Sequence, residues 1–253
     1  MHSEAWAQLT EELECWRRSG TVSTFWWRDD DAVEATPQLE RLLRCADSIP
    51  VALAVIPGRV RPTLVERIGD EPSIAVLQHG WEHVSHLPGS TNEYPPSRTD
   101  EEVSREFFDG RSILRGLFGD QALPIFVPPW HAFDSRFMPV LTLNGLRGIS
   151  RKGPRGNVPA AGLIEVNAHV SPIVWSTPPA FAGDGAYLEQ IVEHLRGRRT
   201  GSYDPAEATG LLTHHLDQND ASFEFIARLA ELISVHPGAA WLSARDLVPC
   251  EPD

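Results

Sequence analysis

The sequence predicts a parallel α/β fold, closed or nearly closed into a distorted (β/α)7-type barrel. Three observations lead to this prediction. Strand and helix patterns alternate along the 253 residues, several of the strands are continuous apolar runs, and reactive residues recur where the strands end. Continuous apolar runs are typical of parallel strands covered by helices on both faces. We therefore expect residues 1–253 to form one barrel domain, with residues 1–20 as an N-terminal helical extension.

The elements are assigned from their periodicity and their end signals. An amphipathic pattern predicts a helix over 4–18, and Thr36-Pro37 is typical of a helix start. Seven buried strands are predicted at 22–28, 51–56, 74–77, 124–127, 147–151, 163–168 and 210–214. Helices are predicted at 4–18, 36–46, 62–68, from residue 99 onward, 135–144, 184–198 and 219–235.

Composition narrows the class of function. With 22 Lys+Arg against 35 Asp+Glu, the net charge of −13 disfavours nucleic-acid binding and favours a neutral or cationic small substrate. No apolar run approaches the roughly 18 residues that a membrane span needs, and residues 1–20 do not resemble a signal peptide, so a cytoplasmic location is expected. The three cysteines are far apart and are expected to be reduced thiols. Several of the eight tryptophans lie beside polar clusters, as in many sugar-binding clefts.

Reactive groups follow five of the predicted strands. In barrels of this class the active site lies at the carboxyl ends of the strands, so these groups are expected to converge. The groups are Asp29-Asp30-Asp31, His79, Pro128-Pro129-Trp130-His131, His169 and His214-His215.

Two of these clusters have the chemistry of a metal site. Three adjacent carboxylates at 29–31 repel one another, which favours a bound cation, although a solvated turn is the alternative. His79 and His83 are four residues apart, which is one helical turn, so both rings are expected to reach one ion. His86 is a further ligand, an outer partner or a surface residue, and Glu82 is at the wrong offset for the zinc-protease HEXXH motif.

The remaining histidines are assigned by their position. Because side chains alternate along a strand, one of His214 and His215 faces the site and the other is structural. His2, His194 and His236 are predicted to lie on the surface.

In order, the motifs are an Asp-Asp pair after the first strand, His-x-x-x-His after the third, Pro-Pro-aromatic after a later strand and Leu-x-x-His near the end. This order resembles the polysaccharide deacetylase superfamily (NodB homology, carbohydrate esterase family four) over residues 22–216. More narrowly, the WRDDD, HGWxH and GLLTHH segments resemble a divergent intracellular branch. The resemblance implies a metal-dependent hydrolase that removes an N-acetyl group from an amino sugar or sugar conjugate.

The resemblance also implies roles for individual residues. Asp29 would be the catalytic base and His214 the acid that protonates the leaving amine. Asp30, His79 and His83 would bind one divalent ion. Zn²⁺ is the expected ion, and Co²⁺, Mn²⁺ and Fe²⁺ are alternatives. The backbone N–H near Trp130 would contact the oxyanion. Substrate contacts are expected from Trp81, Trp130 and His131, and Trp27 or Trp175 are further aromatic candidates for stacking on a sugar ring.

The chain departs from the family pattern at three positions. Val127 stands where the third motif has an arginine that orients the catalytic Asp, so the charge would come from Arg28, Arg151 or Lys152. Asp31 replaces the glycine after the Asp pair, which leaves open that base and ligand are instead Asp30 and Asp31. The third departure is Ser171 before Trp175, in place of the acid of the fourth motif.

Three functions remain open from the sequence. The first is the metal-dependent deacetylase. The second is a catalytically weak relative that binds a sugar or a metal. The third is a metal-dependent phosphoesterase, which predicts two ions and a phosphate clamp and which the net charge disfavours.

Overall fold

The fold is built on one sheet of eight strands. The computed structural model describes residues 2–69, 71–156 and 162–248, with side chains from Glu4 onward. The strands are β1 (Ser23–Ala32), β2 (Val51–Val55), β3 (Ile74–His79), β4 (Ala122–Val127), β5 (Gly148–Ile149), β6 (Ile164–Glu165), β7 (Thr209–Thr213) and β8 (Ala239–Trp241).

The sheet is parallel and strongly curled. Its order is β6-β5-β4-β3-β2-β1-β7, and β8 pairs with the first residues of β1. The chain after β6 approaches β7, where the Leu212 N–H donates to the Val170 carbonyl over 2.8 Å and the His169 N–H donates to the Gly210 carbonyl over 2.7 Å. These bonds bring the two ends of the curled sheet together. The predicted fold class, a distorted (β/α)7-type barrel, is confirmed.

Helices cover the outside of the sheet. Every side chain of β2 and β3 is buried, as expected for parallel strands between layers. The helices are α1 (His2–Arg18), α2 (Pro37–Ala46), α3 (Pro62–Ile68), α4 (Asp100–Phe118), α5 (Met138–Leu143), α6 (Asp184–Thr200), α7 (Asp220–Val235) and α8 (Ala244–Leu247). Among the described residues, no helix combines the length and apolarity required to cross a membrane.

The N-terminal helix is part of this outer layer. Helix α1 packs along α6 and touches β8. Its Trp6 indole donates to Asp184 over 2.7 Å, and its buried Glu12 forms an ion pair with Arg199 at 2.7 Å. Cys15 and Cys45 are free thiols, and Cys250 lies outside the described residues.

Strand β1 is longer than its apolar pattern predicts. The acidic triplet 29–31 lies inside the strand rather than after it, and the strand continues to Ala32. Strand β1 is central, with β2 on one side and β7 on the other, so cross-strand contacts stabilise its polar end. In contrast, β5 and β6 are shorter than predicted because each forms a regular ladder of only two residues.

Candidate active site

The three aspartates of β1 have three different environments. Side chains of successive strand residues point to opposite faces, which separates Asp29 from Asp30. Between Asp29 and Ala32 the pairing of β1 with β2 shifts register, and Asp31 has a φ of 68° in the left-handed region. Such a bulge redirects a side chain. It explains why Asp31 does not follow the alternation set by its two neighbours.

Asp29 is held in a buried hydrogen-bonded network. Its Oδ2 accepts from the Thr213 hydroxyl at 2.6 Å and from the His215 N–H at 3.0 Å, and its Oδ1 lies 2.5 Å from His215 Nδ1. Burial opposes the imidazolium form of His215, but the Asp29 carboxylate raises the pKa of this ring above its usual value. With these contacts, Asp29 links the ends of β1 and β7.

Asp30 forms a buried ion pair with Arg28 of the same strand. Arg28 Nε lies 2.8 Å from Oδ1, and Nη2 donates to Oδ2 over 3.0 Å. Arg28 Nη1 also donates to the Ser150 carbonyl and hydroxyl at 3.0 and 2.5 Å. Burial alone would favour the neutral acid, but the guanidinium and the nearby His79 and His214 rings keep the pKa of Asp30 below its usual value. Asp30 is therefore anionic at neutral pH.

Asp31 lies with the histidine pair. Its Oδ1 is 3.1 Å from His79 Nε2 and 3.3 Å from His83 Nε2, and ligand atoms of the three residues lie within 4.8 Å of one another. The predicted ligand set contained Asp30; the structure brings Asp31 to the histidines instead. Burial opposes the charge, but the hydrogen bond with His79 and the nearby His83 ring hold the pKa of Asp31 well below its usual range.

The donor set fits a divalent cation. A carbonyl oxygen can only accept, so the 3.0 Å contact of His79 Nδ1 with the Val127 oxygen places the ring proton on Nδ1. Nε2 then faces the Asp31 carboxylate. With a proton on Nε2 the ring is an imidazolium that donates to Asp31, and a metal ion would take the place of that proton. Metal-bound histidines commonly donate their second N–H to a carbonyl in this way. One carboxylate oxygen and two imidazole nitrogens are typical ligands of zinc.

The loop after β3 presents His83 to this group. Gly80 and His83 have φ values of 56° and 57°, and the His83 ring lies 4.1 Å from the Trp130 ring between centroids. Trp130 and His131 are themselves two consecutive left-handed residues, with φ of 53° and 58°. Strained backbone of this kind is concentrated at functional sites.

We predict that Gly80→Ala lowers the free energy of unfolding by about 3 kcal/mol, combining left-handed strain with overpacking. A Cβ at this position would overlap the Glu93 carboxylate and the Pro129 ring. Gly89→Ala is the matched control, because Gly89 has a φ of 74° but no atom within 4 Å of the position that a Cβ would take. Urea unfolding of both variants separates overlap from backbone strain. Equal losses in the two variants would contradict the close packing at Gly80.

His214 lies beside Asp30 and packs against Trp175. His214 Nε2 is 4.0 Å from Asp30 Oδ2, and the Trp175 and His214 rings meet edge to face with centroids 4.8 Å apart, while 59% of Trp175 remains exposed. Nδ1 of His214 and Nδ1 of His131 are buried and have no hydrogen-bond partner among the described residues. Burial and Arg28 lower the pKa of His131 to about 4. Both rings therefore retain hydrogen-bonding capacity for a bound molecule.

The other predicted site residues lie outside the group of Asp31, His79 and His83. His86 is exposed and does not belong to the three-residue ligand group, and Trp81 is half-buried in the loop after β3. Trp27 is buried and donates to Thr213, so it is not available for stacking on a substrate. Sequence reasoning missed Glu93, an isolated acid in a Pro-rich loop that carries no periodic signal.

A second group of polar residues lies at the opposite end of the barrel. His169 and His194, expected at the site and on the surface respectively, are both buried beside Glu207. Their rings stack at 3.7 Å and 27°. Because His169 Nδ1 accepts from the Gly210 N–H, the neutral His169 ring carries its proton on Nε2, the nitrogen that faces Glu207. Burial lowers the pKa of His169 to about 4. This group is a polar cluster that joins α6 to the start of β7.

Comparison with known proteins identifies the class of fold. No protein-family model matches the sequence. No curated protein matches it either. Solved structures match over most of their length. A peptidoglycan N-acetylglucosamine deacetylase superposes with a TM-score of 0.56 at 13% identity, covering 90% of this chain and 89% of its own.

Two further neighbours are family 4 carbohydrate esterases. A family 4 carbohydrate esterase from Streptomyces lividans has a TM-score of 0.55 at 16% identity, covering 92% of this chain and 98% of its own. A family 4 acetyl xylan esterase from Clostridium thermocellum, solved with a cobalt ion, has a TM-score of 0.52 at 14% identity, covering 89% and 90%. The chain therefore shares the fold of these family 4 carbohydrate esterases, which is the fold that the resemblance of the sequence motifs implied.

Proposed function

We propose that this chain is a metal-dependent hydrolase that removes an N-acetyl or related acyl group from an amino sugar or sugar conjugate. One observation carries the proposal: Asp31, His79 and His83 form a ligand group beside Asp30, a buried carboxylate held anionic by Arg28. The small-molecule or oligosaccharide substrate and a cytoplasmic location belong to the same proposal.

Asp30 is the proposed catalytic base, in place of Asp29. Its two oxygens face Arg28, and its Oδ2 is directed toward His214. In this environment Asp30 accepts the proton of the attacking water, and Arg28 keeps it ionised beforehand. Arg28 would thus provide the charge that the family pattern places at position 127, which here is Val127. Asp29 has its acceptor capacity taken up by Thr213 and His215.

His214 is the proposed acid. Its Nε2 lies 4.0 Å from Asp30 Oδ2, and the ring of the exposed Trp175 packs against it in an edge-to-face arrangement. A proton donated by His214 to the nitrogen of the scissile bond allows the amine to leave. A divalent ion bound by Asp31, His79 and His83, with Zn²⁺ favoured, would supply a Lewis acid for the acyl carbonyl and for water. Trp81, Trp130 and His131 are the proposed substrate contacts.

The alternatives make different predictions about the ions. A two-ion phosphoesterase needs a second ligand group beside the first, whereas the other histidine-acid group of the described residues lies at the far end of β7. A binding relative without turnover would hold one ion and release no acetate. The ion pair between Arg28 and Asp30 favours the hydrolase over the binding relative, because it keeps the proposed base ionised.

We predict that the protein incubated with Zn²⁺ or Co²⁺ and then desalted retains one equivalent of metal, and that Asp31→Ala loses it. Asp29→Asn is the matched control, since it alters the neighbouring carboxylate and is expected to retain the ion. Elemental analysis measures the content, and acetate release from N-acetylated chito-oligosaccharides and from acetyl xylan measures turnover. A wild-type protein that takes up neither ion would overturn the proposal. One bound ion without acetate release would favour the binding relative.

A further inference from the structure

The loop after β3 is organised around one buried carboxylate. Glu93 is only 1% exposed. Its Oε1 accepts from the N–H groups of Glu82 at 2.8 Å and His83 at 3.0 Å, and its Oε2 accepts from the Trp81 N–H at 3.2 Å. The Val84 N–H lies at 3.5 Å from Oε1. Successive backbone N–H groups directed at one anion form a nest, which here encloses a side chain of the same protein.

The carboxylate of Glu93 is directed at the backbone of one loop. Within the part of the chain that the structure describes, its hydrogen bonds are with the backbone N–H groups of residues 81–84. The neighbouring Arg98 pairs with Glu106 instead, at 2.6 Å. Burial raises the pKa of Glu93, and the N–H groups of Glu82 and Trp81 oppose this effect. The carboxylate and the loop therefore depend on each other for polar partners.

The segment that carries Glu93 is rigidly attached to the barrel. Tyr94 is fully buried, and its ring packs against Phe126 of β4 at 5.5 Å. The Tyr94 carbonyl accepts from the Asp134 N–H at 3.2 Å. Glu93 thus ties the His83 loop to β4 and to the segment that carries Trp130.

We propose that Glu93 is the positioning residue that fixes His83 for ion binding by holding the backbone of residues 81–84. The inference rests on the proposed metal site and adds a residue to it. His83 has a left-handed backbone and is presented by a loop, whereas His79 is part of β3. Without the carboxylate, the loop loses the bonds that hold His83 opposite Asp31. Outer partners of metal ligands commonly change affinity by about 10–100-fold.

The test compares two substitutions of different severity. Glu93→Gln keeps one carbonyl oxygen for the Glu82 and His83 N–H groups but turns an NH₂ group toward the Trp81 N–H; Glu93→Ala removes every acceptor. We expect Kd for Co²⁺ to rise about ten-fold in Glu93→Gln and about a hundred-fold in Glu93→Ala. Amides 81–84 should exchange with deuterium faster in the same order. Titration of the cobalt absorption bands and hydrogen exchange give the two readouts.

Glu207→Gln is the matched control. Glu207 is also a buried acid that accepts a backbone N–H, from Arg155 at 2.9 Å, but it lies at the opposite end of the barrel. Its substitution is expected to lower thermal stability without changing Kd for Co²⁺. If Glu93→Ala does not fold, Glu93→Gln carries the test.

The outcomes separate this inference from the proposed function. Wild-type protein that binds Co²⁺, with folded Glu93 variants that bind it equally well, would overturn the role of Glu93 alone. If Glu207→Gln weakens Co²⁺ binding as much as the Glu93 variants do, the loss reflects general destabilisation, and this result would also overturn the role of Glu93. Wild-type protein that binds no ion would overturn both proposals.

Discussion

Asp30→Asn is expected to lower kcat/KM for acetate release by about 10²–10⁴-fold, the usual contribution of a general base. Asparagine keeps the shape of the side chain but cannot accept the proton of water. Because the proposed ligand group is Asp31, His79 and His83, the variant should retain its metal equivalent. Initial rates on an N-acetylated oligosaccharide, with metal content measured on the same sample, test the prediction.

Asp29→Asn is the control for Asp30→Asn, because it removes the charge of an adjacent carboxylate that is equally buried. The oxygens of Asp29, however, are bound to Thr213 and His215. We expect the variant to lose stability while keeping most of its turnover per folded molecule. The reverse pattern, with Asp29→Asn inactive and Asp30→Asn active, would return the role of base to Asp29.

Arg28→Met is expected to lower the free energy of unfolding by about 3–5 kcal/mol, because breaking a buried pair leaves one charge uncompensated. Arg28 and Asp30 are both buried, and Arg28 also donates to Ser150. Urea denaturation measures the loss. Turnover should fall as well, since Asp30 without the guanidinium is more easily protonated.

The double variant Arg28→Met/Asp30→Asn distinguishes the ion pair from simple loss of packing. Removing both charges relieves the desolvation penalty, so the double variant should be more stable than Arg28→Met alone. Additive losses from the two substitutions would mean that the pair contributes no coupling. Arg28 would then act through its contacts with Ser150 alone.

Much of the architecture can be predicted from the sequence because it depends on local patterns. The apolar run at 51–55 is the buried strand β2, and the Thr36 and Thr99 signals cap α2 and α4. The carboxyl ends of parallel strands lie at one edge of the sheet. The positions of the acidic triplet and of His79 at that edge therefore followed from their places near the ends of predicted parallel strands. The spacing of His79 and His83 also predicted that both rings reach one point, but by way of one helical turn. In the structure a non-helical loop with left-handed Gly80 and His83 brings the rings together instead.

Contacts between distant residues decided the rest. A register shift between β1 and β2 determines which aspartate lies with the histidines. Such a shift changes the direction of a side chain, and the sequence of the strand alone does not predict it. The strand-end argument also placed His169 wrongly, because its partner Glu207 lies on the chain that leads into β7.

The sequence by itself determined the barrel, the edge of the sheet at which the site lies and the histidine pair, since periodicity and spacing are local properties. Only the tertiary structure decided that Asp31 joins the histidines, that Arg28 holds Asp30, and that Glu93 supports the His83 loop. Each of these depends on which polar groups surround a carboxylate, and the bulge in β1 and the packing between separate elements determine those groups.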